Sequence, residues 1–222
     1  MSIPSDEKFV LEASFSPPFA SPSECGCPPQ CTKDRILRAA QNLFYRHGIR
    51  AVSVDAIAAE AATTKVTLYR LFESKDALVT ECLRDQTRRF WGWWDATVAE
   101  HEGDPRAQIE ALFDLLERRM CAKEAKRGCP ITNTAVEIDD PAHPAALVIR
   151  EHHAEMARRF RELCKEMGAK KPDALGDALT LLVAGVFSSR IALDSTERIN
   201  AVAGAARALL DSPEMGAPRR RR

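Results

Sequence analysis

From Thr32 onward, apolar residues recur at helical spacing. Ile36, Leu37, Ala40, Leu43 and Phe44 stand at i, i+1, i+4, i+7 and i+8, one stripe of an amphipathic helix. Thr32 is placed to cap its first turn, and Asp34 suits the positive end of the helix dipole. Gly48, directly after His47, is a natural stop. A second short helix starts at Ser53 and buries Val54, Ile57 and Ala58. A third runs from about Thr64 to Leu71, with Val66, Leu68 and Phe72 as its apolar members, expected in the core and not at a contact. Ser74 then caps a longer helix that starts near Lys75 and turns Leu78, Cys82 and Leu83 inward.

Past Arg84 the pattern stays helical, broken by glycine and proline. His101 to Pro105 is a break, and Arg106 to Ala125 is amphipathic through Ile109, Leu112, Phe113, Leu116 and Met120. Arg127 to Pro130 and Asp139 to Pro144 are loops. A long helix follows from Pro144 to Met167 and ends at Gly168. Pro172 opens the next, strongly apolar from Asp173 to Leu193, where Gly185, Ser188 and Ser189 suit close helix packing. A last helix spans about Thr196 to Leu210, and the chain closes on Pro218 and four arginines, Arg219 to Arg222. Residues 1–31 differ from all of this: six prolines and no helical period predict an extended or disordered arm. The organisation expected is a Cys/Pro-rich arm (1–31), a helix-turn-helix domain (32–78), a larger helical domain (79–211) and a basic tail (212–222). The fold class is all-α.

Composition supports helices without changing that picture: 45% hydrophobic, 29% charged and only 6% aromatic. Net charge is zero over the 222 residues, so the chain as a whole is no basic nucleic-acid glove. The excess is local, with eight basic side chains against five acidic ones between Thr32 and Asp76. No stretch is long and apolar enough to span a membrane. The opening MSIPSDEKFV has neither a basic region nor an apolar one after it, so a cytoplasmic location is expected.

Three short helices followed by a fourth form a helix-turn-helix arrangement, in which the third presents a polar face to the major groove. Around it the chain closely resembles the TetR family of repressors. That family places an Ile-Ala pair, a turn, a helix ending Leu-Tyr-x-x-Phe, then x-x-Lys-x-x-Leu; here these are Ile57-Ala58, Ala61, Leu68-Tyr69, Phe72, Lys75 and Leu78. Phe44, Gly48 and Val52 also fall in register. One position departs: the family's turn glycine is Ala62, which costs on the order of 1 kcal/mol if φ is positive there. The resemblance implies that Thr64, Lys65 and Thr67 meet base edges or nearby phosphates, and that Tyr69 lays its hydroxyl on a phosphate. It also implies a backbone or groove contact from Arg70, a phosphate contact from Lys75, and a further donor at Ser53. It implies a homodimer on double-stranded operator DNA, with residues 144–167 and 172–193 as the dimer pair. A small-molecule effector would be sensed in the larger domain and release the operator.

Three chemistries remain to be weighed. Phe90, Trp91, Trp93 and Trp94 crowd one turn, so Trp91 and Trp94, with Phe113, Leu116 and Met120, either line an apolar effector pocket or pack as core. Cys25, Cys27 and Cys31 have C-x-C-x3-C spacing. They suit a soft metal ion or metalloid, or redox-sensing thiols, or else have no chemical role. His152 and His153, about 100° apart on one helix, read as surface or interface residues, and Gly128-Cys129 to Asn133 resembles a turn of part of the TetR family, which implies a structural role for Cys129. No cofactor is required. No Gly-rich phosphate loop, HExxH or GxSxG motif is present, so an enzyme is not expected, and nothing places a cysteine and a histidine for thiol catalysis.

Overall fold

In a computed structural model, residues 32–121, 128–189 and 201–216 are described. They form nine helices: α1 Thr32–His47, α2 Val54–Glu60, α3 Lys65–Leu71, α4 Lys75–Ala99, α5 Pro105–Cys121, α6 Pro130–Glu137, α7 Pro144–Glu166, α8 Pro172–Ser189 and α9 Ala201–Leu210. No strand occurs among the described residues. The cysteine arm and the four terminal arginines lie outside them. The chain divides into two compact units between Cys82 and Leu83.

In the first unit, Ile36, Ala40, Ile57, Leu68 and Leu78 are fully buried, with Val52, Val54, Ala58, Ala61, Phe72 and Cys82 around them. Gln41 is a buried polar member of α1, and its Nε2 donates to the Cys82 carbonyl at 3.4 Å. Val66 corrects the sequence reading: it is 78% exposed, not core. Successive helical residues turn by about 100°, so Val66, two places before Leu68, points to the opposite side once Leu68 faces inward.

The second unit packs Trp94, Phe113, Phe160, Leu175 and Leu179 into one core with residues of α5, α7, α8 and α9. Helices α7 and α8 come close together at Gly176, where a Cβ would lie 2.7 Å from the Arg161 backbone nitrogen. Gly185, the glycine that sequence nominates for close packing, has nothing within 4 Å of an added Cβ. Helix α6, opened by Pro130 at its first turn, is an element the periodicity does not predict. Helix α9 is held from α5: Glu117 Oε1 accepts from Ala203 N at 2.7 Å, and Arg207 pairs with Asp114.

Candidate nucleic-acid interface and ligand site

Side-chain caps three residues from their donors open each of the three later helices of the first unit. Ser53 Oγ accepts from Ala56 N at 3.1 Å, Thr64 Oγ1 from Thr67 N at 3.1 Å, and Ser74 Oγ from Ala77 N at 3.0 Å. Each satisfies an amide that the helix leaves unbonded, an interaction of about 1 kcal/mol. Ser53 and Thr64 are therefore capping residues first. The Thr64 hydroxyl also meets Thr67 Oγ1 at 3.0 Å, which ties two of the nominated contact residues to each other.

The turn between α2 and α3 is a Schellman motif. Thr63 N donates to Ala58 O at 2.9 Å and Ala62 N to Ala59 O at 3.1 Å. The motif needs a left-handed residue at Ala62, and its φ is +47°. Ala62 is the single non-glycine with positive φ among the described residues, so the strain expected from sequence is present. Arg35 Nε braces the same turn by donating to the Ala61 carbonyl at 3.3 Å.

With Leu68 fully buried, α3 turns Lys65, Val66, Tyr69 and Arg70 outward on one side, and Tyr69 is 43% exposed. Lys65 Nζ lies 3.0 Å from Asp55 Oδ2, a pair open to solvent on both sides. That hydrogen bond, more than the bare attraction, raises the Lys65 pKa. Lys75 is half-buried, and its Nζ donates to the Ile49 carbonyl at 2.5 Å. It anchors the turn after α1, with two ammonium hydrogens left for an anion. The sequence reading misses two members of this face, Val66 and Asp55.

A family model for bacterial regulatory proteins of the tetR family matches residues 36–82, which span α1 to α3 and the start of α4. These residues carry the DNA-binding domain typical of the TetR family. It is 23% identical over 186 residues to the transcriptional repressor ComR of Escherichia coli, covering 81% of this chain and 89% of that one. To the repressor KstR2 of Rhodococcus jostii it is 30% identical over 131 residues, 59% of this chain and 60% of the relative. A solved TetR-family transcriptional regulator from Streptomyces coelicolor superposes with a TM-score of 0.75 at 26% identity, over 80% of this chain and 93% of that one. Some other matches cover only about a quarter of the chain, at 41% identity over 56 residues in one case. The protein is thus a TetR-type transcriptional regulator with a helix-turn-helix DNA-binding head. Its fold and its relatives are those of regulators, not of enzymes. No helix among the described residues is long and apolar enough to cross a membrane.

In the body of this TetR-type chain, the residues nominated for an effector pocket divide. Trp94, Phe113 and Leu116 are core, at most 4% exposed, whereas Trp91 is half-buried against that core. The Met120 side chain lies outside the described set. His152 corrects the sequence reading: it is 3% exposed, not a surface residue. Its ring sits 4.8 Å from Phe90 and 5.2 Å from Trp91, because α4 turns its aromatic face onto α7. Burial, and then the neighbouring His153, pushes its pKa down to about 4, so the imidazole is neutral near pH 7.

Polar atoms are stranded around these rings. Gln86 Oε1, Thr87 Oγ1, Trp93 Nε1 and His152 Nδ1 are buried with no hydrogen-bond partner. Such groups each cost about 1–3 kcal/mol if nothing meets them. Arg159 lies 4.3 Å over Trp91 and Arg119 5.1 Å over Trp93. Among the described residues no group of three or more His, Cys, Asp or Glu side chains is placed to hold a metal.

Proposed function

We propose that this regulator is a repressor that binds near-palindromic operator DNA as a homodimer and releases it when a small-molecule effector occupies the body. The observation that carries the DNA-binding half is the outward face of α3, where Lys65, Val66, Tyr69 and Arg70 stand over a fully buried Leu68. Tyr69, Arg70 and Lys75 position the head on phosphates, while Lys65, Thr67 and Val66 read bases. An uncovered Val among polar neighbours suits the thymine methyl group of the major groove. Asp55 holds Lys65 until an acceptor on DNA replaces it.

Two heads about one helical turn apart, or somewhat more, are needed for a tight grip. Leu147 on α7 and Leu181 on α8, 51% and 72% exposed, support a second copy of this chain as the occupant of that helix pair. Coupling between effector and operator is reciprocal: operator weakens effector binding by the factor that effector weakens operator binding. The regulator acts in the cytoplasm and needs no resident cofactor.

Fluorescence anisotropy on DNA from upstream of the protein's own coding region tests the reading. Tyr69→Phe and Lys75→Ala weaken binding to all sequences about equally. Lys65→Ala, Thr67→Ala and Val66→Ala change the preferred bases, each by about 1–3 kcal/mol at one position. Asp55→Ala tightens non-specific binding and steepens its salt dependence. Unchanged site choice in the Lys65, Thr67 and Val66 variants would remove α3 as the reading helix. A sensing route through Cys25, Cys27 and Cys31 rests on their spacing alone. Release by Zn(II), Cu(I), Cd(II), arsenite or peroxide that disappears in the triple serine variant would establish it.

A further inference from the structure

Among the described residues, four arginines of the body are half-buried: Arg106, Arg119, Arg159 and Arg207. Three have carboxylates. Arg106 meets Glu110 at 2.9 Å and Asp211 at 2.7 Å, Arg159 meets Asp95 and Glu155, and Arg207 meets Asp114. Among the described residues, Arg119 has no ion pair and no hydrogen bond. Its guanidinium instead lies over the Trp93 ring, and the indole Nε1 of that tryptophan is itself buried and unpartnered. Burial pulls the Arg119 pKa down from its usual value, opposed by the nearby Cys129. A partly desolvated cation without a counter-charge is costly, and proteins ordinarily pair one.

Arg119 and Trp93 Nε1 are both donors, so their natural partner is an acceptor that carries negative charge. One guanidinium balances one charge. The Phe90 ring joins this corner to the other stranded atoms: it lies 5.3 Å from Trp93, 4.9 Å from Trp91 and 4.8 Å from His152. His152 is 3% exposed, and its Nδ1 also lacks a partner. The corner therefore offers a cation and an indole N–H at Trp93, with the Phe90 and Trp91 rings and a neutral imidazole close by.

We infer that the effector is a monoanionic aromatic carboxylate, its carboxylate held by Arg119 and Trp93 Nε1 and its ring system packed against Phe90 and Trp91. This rests on the proposed sensing role of the body and names the chemical class sensed there. The site excludes simple cations by the guanidinium. It favours the acid over its own amide because the amide leaves Arg119 uncompensated.

The test measures direct binding to the full chain without DNA, using tryptophan fluorescence and calorimetry. Three probes of one shape are compared: 1-naphthoate, 1-naphthamide and 1-naphthylmethylammonium. The expected result is 1-naphthoate at least tenfold tighter than the amide, with the ammonium compound weakest. Arg119→Gln abolishes that preference, Arg119→Lys keeps part of it, and Trp93→Phe lowers naphthoate affinity several-fold while leaving the circular dichroism spectrum unchanged. Equal binding of acid and amide, no binding of the acid, or an Arg119→Gln protein that still prefers the acid would each overturn the inference. Operator release is scored separately. Selective binding of naphthoate without any loss of operator affinity upholds the anion site and overturns the regulatory reading. Release by the neutral amide alone does the reverse.

Discussion

In the head, Ser53, Thr64 and Ser74 each accept from a backbone amide three residues on. In the body, His152 Nδ1 and Trp93 Nε1 lie among packed rings with no acceptor or donor at hand. The head uses its polar side chains to start helices at set places, and so presents α3 at a defined angle to its own core. The body collects polar atoms from helices far apart in sequence and leaves them unpartnered. A satisfied surface suits a ligand as large and repetitive as DNA. Unsatisfied buried groups suit a small ligand that completes them.

The largest expected effect is on the body's core. Phe160 is 1% exposed and its ring meets Trp94 at 4.8 Å and Phe113 at 5.8 Å. Phe160→Ala is expected to cost about 3–5 kcal/mol. All three tryptophans lie in the body, so a urea titration followed by tryptophan emission reads it directly. A midpoint unchanged from wild type would remove the aromatic cluster as the element that holds this unit together.

Acid is the next way to separate the two regions. His152 has a folded pKa of about 4, below the ordinary 6.5, so the unfolded chain takes up this proton first as pH falls. Its contribution to stability is complete above pH 6.5 and is lost as the pH drops from 6.5 to 4, to the extent of about 3 kcal/mol. His153, also lowered by burial, acts in the same direction. Glu155, held down to about 2 first by its Arg158 hydrogen bond, loses its contribution only below 4.5. Urea midpoints at pH 7, 5.5 and 4.5 check this. A His152→Phe protein should show a shallower slope above pH 4.5, and an identical slope would mean the buried imidazole is not the acid-labile element.

The smallest effect compares two helix ends of the same design. Helix α7 closes like α2: Ala169 N donates to Cys164 O and Gly168 N to Lys165 O, both at 3.0 Å. There the left-handed residue is Gly168, with φ +77°, whereas in the head it is Ala62, with φ +47°. Gly168→Ala should destabilise by about 1 kcal/mol and Ala62→Gly should stabilise by up to about 1 kcal/mol, less the entropy glycine adds to the unfolded chain. Differential scanning calorimetry reads both. A loss of stability in Ala62→Gly would show that the turn does not strain its alanine.

The legible and illegible parts of the site separate by sequence distance. Caps, the Ala62 turn and the burial of Leu68 depend on residues within a few positions of one another, so their spacing reports them. Val66 misleads because a seven-residue helix with several apolar members does not declare which one its neighbours will cover. His152 misleads because a histidine pair among charged residues resembles a solvated face, and only the aromatic side of α4 buries it. Gly185 attracts attention by its small neighbours, but the close approach of α7 and α8 falls at Gly176, one turn into the helix. Helix α6 is short and its N-cap Cys129 makes no side-chain capping bond, so neither period nor cap announces it.

The amino-acid sequence by itself determined an all-helical chain, a helix-turn-helix head and the order of its capping residues, because hydrophobic period and i, i+3 capping are local properties of the backbone. The tertiary structure alone decided which side of α3 faces outward, that Asp55 holds Lys65, and that Arg119, Trp93 and His152 are left around one aromatic cluster without partners. Those outcomes follow from which helices come to lie against each other, and burial and partnership exist only once they do.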